Sequence, residues 1–532
     1  MTSSAKLRWS IWLALRGSSK TNSETESETN ADSPAGLKWL AGQVLLSAAA
    51  AALLAACLWL PLLEFTRLTS RAVMTPAEAV ELSLSPGGLL GLFYPPLSAG
   101  SHETTLYVGG VVLLLVVLAL AAVPRRPVLF WGLIGGLALL FAMGSSLPGF
   151  ALLARVPLAS LLRVPPRALF LLGLVMAVLA ALALDSWEEL GREPARRRAR
   201  LALIGVAASG VTMGVLVLVW LRPERPAPFV WGILGLLAAG LWLMWGLSTR
   251  RSIMLFTTGL FVLLLIDPVL AGQAMVAYRP KAEVFAEKAS LAEFLQAQPG
   301  MFRTYAPDFS LLQFTAYNHG LEQADGVDPL QLEHYVRYME IATGIPISGY
   351  SVTLPPVPDG FAANTRYTPD AQLLGMLNVK YVLAGLSLPA TDGLNEITEI
   401  EGVHVYENRF ARPRAWVTPP GEAVESGEYQ PAEILVYTPN RIELSATGPG
   451  TLVLAENSYP GWQVQVDGQP QALETAAGTL RAVNLDPGEH EVRFVFRPRT
   501  VQFGLIISTA ALLGLLGLGL WEAAARRKRL PS

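Results

Sequence analysis

Several charged residues lie where the chain leaves its predicted membrane helices, and their types could support group-transfer chemistry. Glu64 is followed by Arg67 and Arg71, and His102-Glu103 closes the same predicted loop. A carboxylate can act as a general base, and cations can hold a phosphate leaving group. If the helix continues past Glu64, Glu64 and Arg67 share one face, which suits either a catalytic pair or an ion pair at the membrane interface.

Two arginines in the string RVPPR form a second candidate site. Arg163 and Arg167 lie at the predicted outer end of a membrane helix, with no carboxylate near them in sequence. Guanidinium groups present forked donors that match a phosphate. This pair could therefore contact a phosphate at membrane depth or anchor the helix to lipid headgroups.

Asp267 is an ionisable residue inside a predicted membrane helix, directly before Pro268. Such a residue within a membrane segment is a functional candidate by default. The alternative is that Asp-Pro simply interrupts the helix.

Two aromatic residues, Tyr459 and Trp462, stand out in the string NSYPGWQVQVDG. Either ring could stack on a sugar. However, Trp462 alternates with Val464 and Val466 in a predicted strand, and a tryptophan in that pattern more often faces a protein core.

Metal and nucleotide chemistry have no support in the sequence. His319, His334, His404 and His490 lack metal-ligand spacing, and no glycine-rich phosphate loop occurs. No cofactor is evident.

The composition is that of a membrane protein. Hydrophobic residues make up 52% of the 532 residues, charged residues 15%, and mean hydropathy is +0.41. The net charge of −2 gives no general attraction for nucleic acid. The single cysteine, Cys57, cannot form an intrachain disulfide.

Eight apolar stretches approach or reach the roughly 20 residues that a membrane-spanning helix needs. They are Ala41–Leu63, Leu106–Val123, Val128–Met143, Ala168–Leu184, Leu201–Leu221, Phe229–Leu247, Ile253–Leu270 and Val501–Trp521.

Basic residues in the short loops predict the orientation in the inner, or plasma, membrane. The clusters at residues 125–126, 192–200, 250–251 and 526–529 fall on one side if the spans alternate. That side is predicted to be the cytoplasm, with both termini on it, and we interpret the clusters as topology anchors.

The chain divides into four predicted parts. Residues 1–37 form a cytoplasmic interfacial helix, Lys6–Arg16, and a disordered linker; 38–270 form a membrane domain with seven spans; 271–500 form an extracytoplasmic domain; 501–532 form the last span and a basic tail.

The extracytoplasmic domain is predicted to be mixed α/β and to end in an antiparallel, β-sandwich-like meander over residues 441–497. Helical patterns at Ala282–Gln298 and Pro329–Ala342 precede the strand Val379–Ala384, and the hydrophobic period becomes two from Arg441 onward. Turn residues at 448–450, 460–461, 467–468 and 487–488 separate about five strands. The predicted fold class is thus a polytopic α-helical membrane protein, with about eight membrane helices and a large α/β domain.

An ordered set of strings resembles the bacterial membrane protein YfhO family over about residues 43–521. The strings are LPLLEFTRLTSR, GLFYPP, LLRVPPRALFLLGL, DGVDPLQLEHYVRYM, LLGMLNVKYVLAG, VHVYENRFARPRAWV, NSYPGWQVQVDG and PGEHEVRFVFRP.

The resemblance implies a relationship to GT-C glycosyltransferases, which move a sugar from a polyprenyl-phosphate donor to an envelope glycan acceptor. If this chain is itself catalytic, Glu64 is the candidate base, and Arg163 and Arg167 are the candidate phosphate contacts, with Arg67 and Arg71 nearby. The family's catalytic carboxylate lies in an earlier loop, whereas this chain resembles only the later half. A separately encoded N-terminal half is therefore an expected partner.

Two other functions remain open on the sequence. The chain could be a non-catalytic subunit or a membrane-tethered glycan-binding protein, or it could be a transporter. The transporter ranks last because no inverted repeat is recognisable and few charges lie within the spans.

Overall fold

The computed structural model describes residues 34–70, 80, 82–95, 102–123, 125–147, 150, 164–223, 226–248, 253–273, 278–327, 330–346 and 361–527. The predicted interfacial helix and linker at 1–33, and the candidates Arg71 and Arg163, lie outside these residues.

Apolar helices form the first half of the described chain, and one more closes it. They are α1 (Pro34–Leu54), α2 (Ala56–Leu68), α3 (Gly110–Ala122), α4 (Arg125–Met143), α5 (Leu169–Asp185), α6 (Ala195–Leu216, continued by a π turn to Leu221), α7 (Ala227–Ser248), α8 (Ile253–Gln273) and, at the C-terminus, α14 (Arg499–Arg527).

Within the described residues, six helices are long and apolar enough to cross a membrane, or seven if α1 and α2 form one bent span. The expected count of eight is therefore too high. The first predicted span is bent by 73° between Leu54 and Ala56. The second contains only the 13-residue helix α3, which at ~1.5 Å per residue is about 20 Å long, short of the ~30 Å hydrocarbon layer.

The helices from α3 to α8 share one hydrophobic core, to which α1, α2 and α14 contribute no buried residue. Residues 91–95, from the string GLFYPP, belong to a loop that packs against this bundle. Tyr94 is 2% exposed and packs on Phe229. A Cβ on Gly232 would lie 2.6 Å from the Tyr94 ring, so only glycine leaves room for it.

Helix α14 packs against α1 and α2 instead and satisfies the backbone where they break. Ser508 Oγ accepts a hydrogen bond from the Cys57 amide at 3.0 Å and donates one to the Leu53 carbonyl at 3.3 Å. Backbone groups exposed by a break in lipid need such partners.

A strand-rich domain of residues 278–498 lies between α8 and α14. Its short helices are α9 (Lys281–Ala286), α10 (Ala289–Gln296), α11 (Gln313–Asn318), α12 (Glu333–Thr343) and α13 (Ala371–Met376). Its strands are β1 (Arg303–Tyr305), β2 (Glu322–Gln323), β3 (Val379–Ala384), β4 (Leu394–Ile400), β5 (Val403–Asn408), β6 (Ala415–Thr418), β7 (Gln430–Pro431), β8 (Glu433–Thr438), β9 (Arg441–Asn457), β10 (Trp462–Val466), β11 (Gln469–Gln471), β12 (Glu474–Ala476) and β13 (Leu480–Phe496).

The first sheet has the order β2-β1-β3-β5-β4, with β1 parallel to both neighbours and the remaining pairs antiparallel. One face packs on α10 and α11. The other packs on α12, α13 and the second sheet. The predicted strand Val379–Ala384 is confirmed with its bounds. The helix predicted over 282–298 is divided between α9 and α10, because Lys288 adopts a positive φ of 60°.

The second sheet is antiparallel and folds over itself because β9 and β13 are both 17 residues long and bent. One half pairs β8, β9, β13, β10 and β11; the other pairs β7, β6, β9, β13 and β12. The core lies between them and contains the predicted inward residues Ile442, Val464 and Phe494. The predicted turns at 448–450 and 487–488 are therefore bends within long strands, where the β9–β13 register shifts.

Candidate functional site

The junction between α2 and the strand-rich domain contains Glu64. Thr69 forms a β-bridge with Leu332, and the Ser70 amide donates a hydrogen bond to the Gln331 carbonyl at 3.1 Å. These contacts attach the C-terminal end of α2 to the loop before α12. Glu64 is consequently held at the boundary between an apolar helix and a polar domain.

Tyr459 lies opposite Glu64 on the domain side of this junction. Its ring centroid is 6.0 Å from that of Phe65 and 6.0 Å from that of Phe496. Burial, and secondarily the charge of Glu64, raise the pKa of the Tyr459 phenol. Within the described residues no ion pair joins Glu64 to Arg67. The Glu64 carboxylate therefore lies near enough to Tyr459 to help raise the pKa of its phenol, and Phe65 makes the ring contact.

Trp462 continues the same aromatic row. Its ring is 5.3 Å from Phe496, and the Arg481 guanidinium carbon lies 3.6 Å from its ring centroid. Burial lowers the pKa of Arg481 to about 10. Arg481 and Phe496 already contact the Trp462 ring, so the geometry favours the packing interpretation over sugar stacking.

Arg167 has a carboxylate partner that the sequence spacing does not reveal. Its Nη2 and Nε donate to Glu103 Oε1 at 2.8 and 3.2 Å. Glu103 lies on the turn His102–Thr104, and the Arg167 side chain is 53% exposed. Two of the Arg167 guanidinium nitrogens are thus already bound to Glu103. A phosphate would have to displace Glu103 or bind the remaining nitrogen beside it.

Asp267 caps a neighbouring helix and does not break its own. Its Oδ1 accepts from the Tyr107 hydroxyl at 2.5 Å and its Oδ2 from the Gly110 amide at 2.7 Å. Helix α8 runs through Pro268 to Gln273, so the predicted helix interruption is wrong. A carboxylate on an N-terminal amide is a standard cap. It also explains why α3 begins at Gly110, after an extended segment.

An ionic cluster centred on the buried Arg414 joins the two sheets of the domain, and the sequence did not suggest it. Glu456 Oε1 accepts hydrogen bonds from Arg303 Nη2 at 2.6 Å, Arg414 Nη1 at 2.9 Å and the Tyr437 hydroxyl at 2.5 Å. Arg414 also pairs with Glu322 at 2.8 Å. We call these five residues the ionic cluster.

Arg414 belongs to the string RFARPRAW, in which three arginines alternate with small or rigid residues after β5. That density of arginine beside a strand could have drawn attention to the segment. Its partners, however, lie up to 92 residues away along the chain.

The described residues contain no group of three or more His, Cys, Asp or Glu that could hold a metal ion.

No curated protein and no solved structure matches the chain significantly. Residues 422–508, which run from the segment before β7 into the first third of α14, match the family model described as bacterial membrane protein YfhO. The similarity to that family therefore covers the segment that carries Tyr459 and the aromatic row, and it continues into α14, which is long and apolar enough to cross a membrane.

Proposed function

We propose that this protein acts at the outer face of the bacterial plasma membrane on polyprenyl-phosphate-linked sugars used to modify cell-envelope glycans. The observation that carries the proposal is the junction where Glu64 of α2 meets Tyr459 of the YfhO-matched region. A lipid-linked donor presents its phosphate and sugar at this kind of boundary between apolar helices and a polar domain.

In the proposed reaction, Glu64 removes the proton from an acceptor hydroxyl. The acceptor oxygen forms a bond to the anomeric carbon, and the bond from that carbon to the phosphate oxygen breaks. The polyprenyl phosphate leaves with the electron pair. Arg163 and Arg167 are the proposed phosphate contacts, with Arg67 and Arg71 as secondary cations.

The proposed orientation places both termini in the cytoplasm and the strand-rich domain outside. It is supported by basic residues at the start of α4 and α6 and at the end of α14, which lie on one side when the helices alternate. The end of α8 and the start of α14 then share the side of the domain, and the end of α2 shares it if α1–α2 and the short helix α3 each cross the membrane.

The test is sugar transfer by the purified full chain in proteoliposomes, with labelled polyprenyl-phosphate sugars and envelope glycan acceptors. Glu64→Gln is expected to lower turnover by about 100-fold or more, because general-base catalysis typically contributes that much. The matched control is Glu489→Gln, at an exposed site on the domain surface. Undiminished turnover in Glu64→Gln would remove Glu64 from the mechanism.

A second candidate function is a non-catalytic, glycan-binding subunit. It is favoured by an open cleft of about 670 Å³ in the strand-rich domain, away from Glu64. Turnover that appears only after a second membrane protein is added, and that survives Glu64→Gln, would support this function instead.

A further inference from the structure

The cleft lies where four segments of the strand-rich domain meet: the loop before β1, the start of β3, the segment from the end of β5 to β6, and the start of β8 with the residues before it. Its volume, about 670 Å³, is within the ~300–1,000 Å³ range of small-ligand sites. We call it the basic cleft, because four cations, Lys380, Arg409, Arg412 and Arg414, line it against one carboxylate, Glu407.

The charges of these cations are unequally balanced by the protein. Arg414 pairs with Glu322 and Glu456 inside the ionic cluster, and Arg409 pairs with Asp392. Lys380 and Arg412 form no ion pair with a carboxylate within the described chain. Lys380 Nζ makes a long 3.4 Å contact with the Pro299 carbonyl and lies 5.7 and 5.3 Å from the ring centroids of Phe302 and Tyr381. Two of the four cations are thus available to an anion.

Arg412 is held in place although it has no acidic partner. Its guanidinium lies 5.3 Å from the Trp416 ring centroid and 4.7 Å from that of Tyr429. Its Nη2 donates to the backbone carbonyls of Glu425 and Gly427 at 3.1 and 3.2 Å. A guanidinium fixed between rings and carbonyls loses little freedom when an anion binds.

Two guanidinium nitrogens in the lining of the cleft lack an acceptor. Arg412 is 6% exposed and Arg414 is 2% exposed, yet Arg412 Nη1 and Arg414 Nη2 have no hydrogen-bond partner among the described residues. Buried donors are nearly always satisfied in folded proteins. Burial also lowers the pKa of Arg412, with Tyr429 and Glu425 opposing it. These two unpaired donors therefore lower the stability of the folded protein.

We propose that the basic cleft binds a phosphate group carried by an anionic envelope polymer or by a lipid-linked precursor. Forked guanidinium donors match the oxygens of a phosphate, and an ammonium group adds a compact charge beside them. The site rests on the cleft alone, so it can be tested without the transfer reaction proposed at Glu64.

The test measures binding of a fluorescently labelled glycerol-phosphate oligomer to the full chain in lipid nanodiscs with neutral lipids. Lys380 is the residue to change, because it is half-buried and outside the ionic cluster. Lys380→Gln is expected to weaken binding roughly fivefold or more, and Lys380→Glu further, through loss and reversal of a charge contact. Lys281→Gln is the matched control, because Lys281 also lies over an aromatic ring, 5.0 Å from Phe285.

A second arm identifies the source of the phosphate. The same variants are assayed with nanodiscs that contain polyprenyl phosphate in place of the soluble oligomer. Lys380-dependent binding of either probe supports the site and names its source. The proposal would be overturned if both probes bound wild type, Lys380→Gln and Lys380→Glu equally well. It would also be overturned if neither probe bound the wild-type protein. Neither result depends on turnover, so failure of the Glu64 proposal is scored separately.

Discussion

The helical bundle and the strand-rich domain treat buried polar groups in opposite ways. Among the described residues from Leu84 to Leu260, the buried side chains are apolar except for Tyr94, whose hydroxyl donates to the Gly210 carbonyl. The bundle's best-defined polar contact, Asp267 with Tyr107 and Gly110, terminates a helix. The domain instead buries Arg414 between its sheets and pairs it with the partly buried Glu456, which also binds Arg303. The bundle thus uses polar groups to end helices, and the domain uses them to join layers.

The largest expected effect comes from the ionic cluster. Glu456→Gln replaces the carboxylate between Arg303 and Arg414 with a neutral amide, while Glu322 still pairs with both arginines. Loss of these charge-assisted hydrogen bonds should cost about 3 kcal/mol. Thermal unfolding of the detergent-solubilised protein measures the loss. Glu489→Gln, at an exposed position, should change little. An equal small effect of both substitutions would show that the cluster does not hold the sheets together.

The same carboxylate gives a pH dependence. Burial alone would raise the pKa of Glu456, but Arg303, Tyr437 and Arg414 together lower it below the ordinary 4.5. A lowered folded-state pKa stabilises the protein above pH 4.5, and this contribution disappears as the pH falls through the folded value. In Glu456→Gln, the free energy of unfolding should therefore fall less steeply than in wild type as the pH drops below 4.5. An unchanged pH dependence would contradict the assignment.

In the bundle, Asp267→Leu removes the cap of α3 and leaves the Tyr107 hydroxyl without its acceptor. We expect a loss of about 2 kcal/mol in thermal stability. Asp267→Asn keeps an acceptor oxygen and should lose clearly less. If both variants have the same melting temperature as wild type, the cap does not stabilise the bundle.

The α1–α2 break offers a packing test with an internal control. A Cβ on Gly504 would lie 2.7 Å from the Ala56 carbonyl oxygen, whereas nothing lies within 4 Å of one on Gly514. Gly504→Ala should destabilise by about 1–3 kcal/mol through overpacking. Gly514→Ala should be neutral or slightly stabilising because alanine favours helix. Similar melting of both variants would mean that α14 does not support the break.

The smallest effect concerns a surface pair of the domain. His490 Nδ1 lies 2.7 Å from Asp467 Oδ2, and this hydrogen bond is the main cause that raises the pKa of His490 above 6.5. The pair contributes to stability below pH 6.5, and the contribution is lost as the pH rises through the folded value. Histidine NMR titration should show the His490 pKa fall in Asp467→Asn while that of His334, lowered by burial, stays in place.

Local patterns predicted most secondary structure, because apolar runs and period-two alternation report burial directly. The break after Leu54 could not be predicted, since its partner Ser508 lies 451 residues from Cys57 in sequence. The same holds for Glu103 with Arg167 and for Asp267 with Gly110. Charged residues were visible in the sequence, but their partners were set by tertiary structure. The sequence therefore predicted individual candidate residues, but it did not predict which residues contact one another.

The most direct test of the central claim is photo-crosslinking in native membranes with a polyprenyl phosphate that carries a photoreactive group beside its phosphate. If the junction of α2 and the strand-rich domain receives the lipid-linked donor, labelled peptides will come from the outer end of α2 around Glu64 or from the segment around Tyr459. Excess unlabelled polyprenyl phosphate will then suppress the labelling. Labelling confined to other helices, or labelling that competitor does not reduce, would contradict the proposed site.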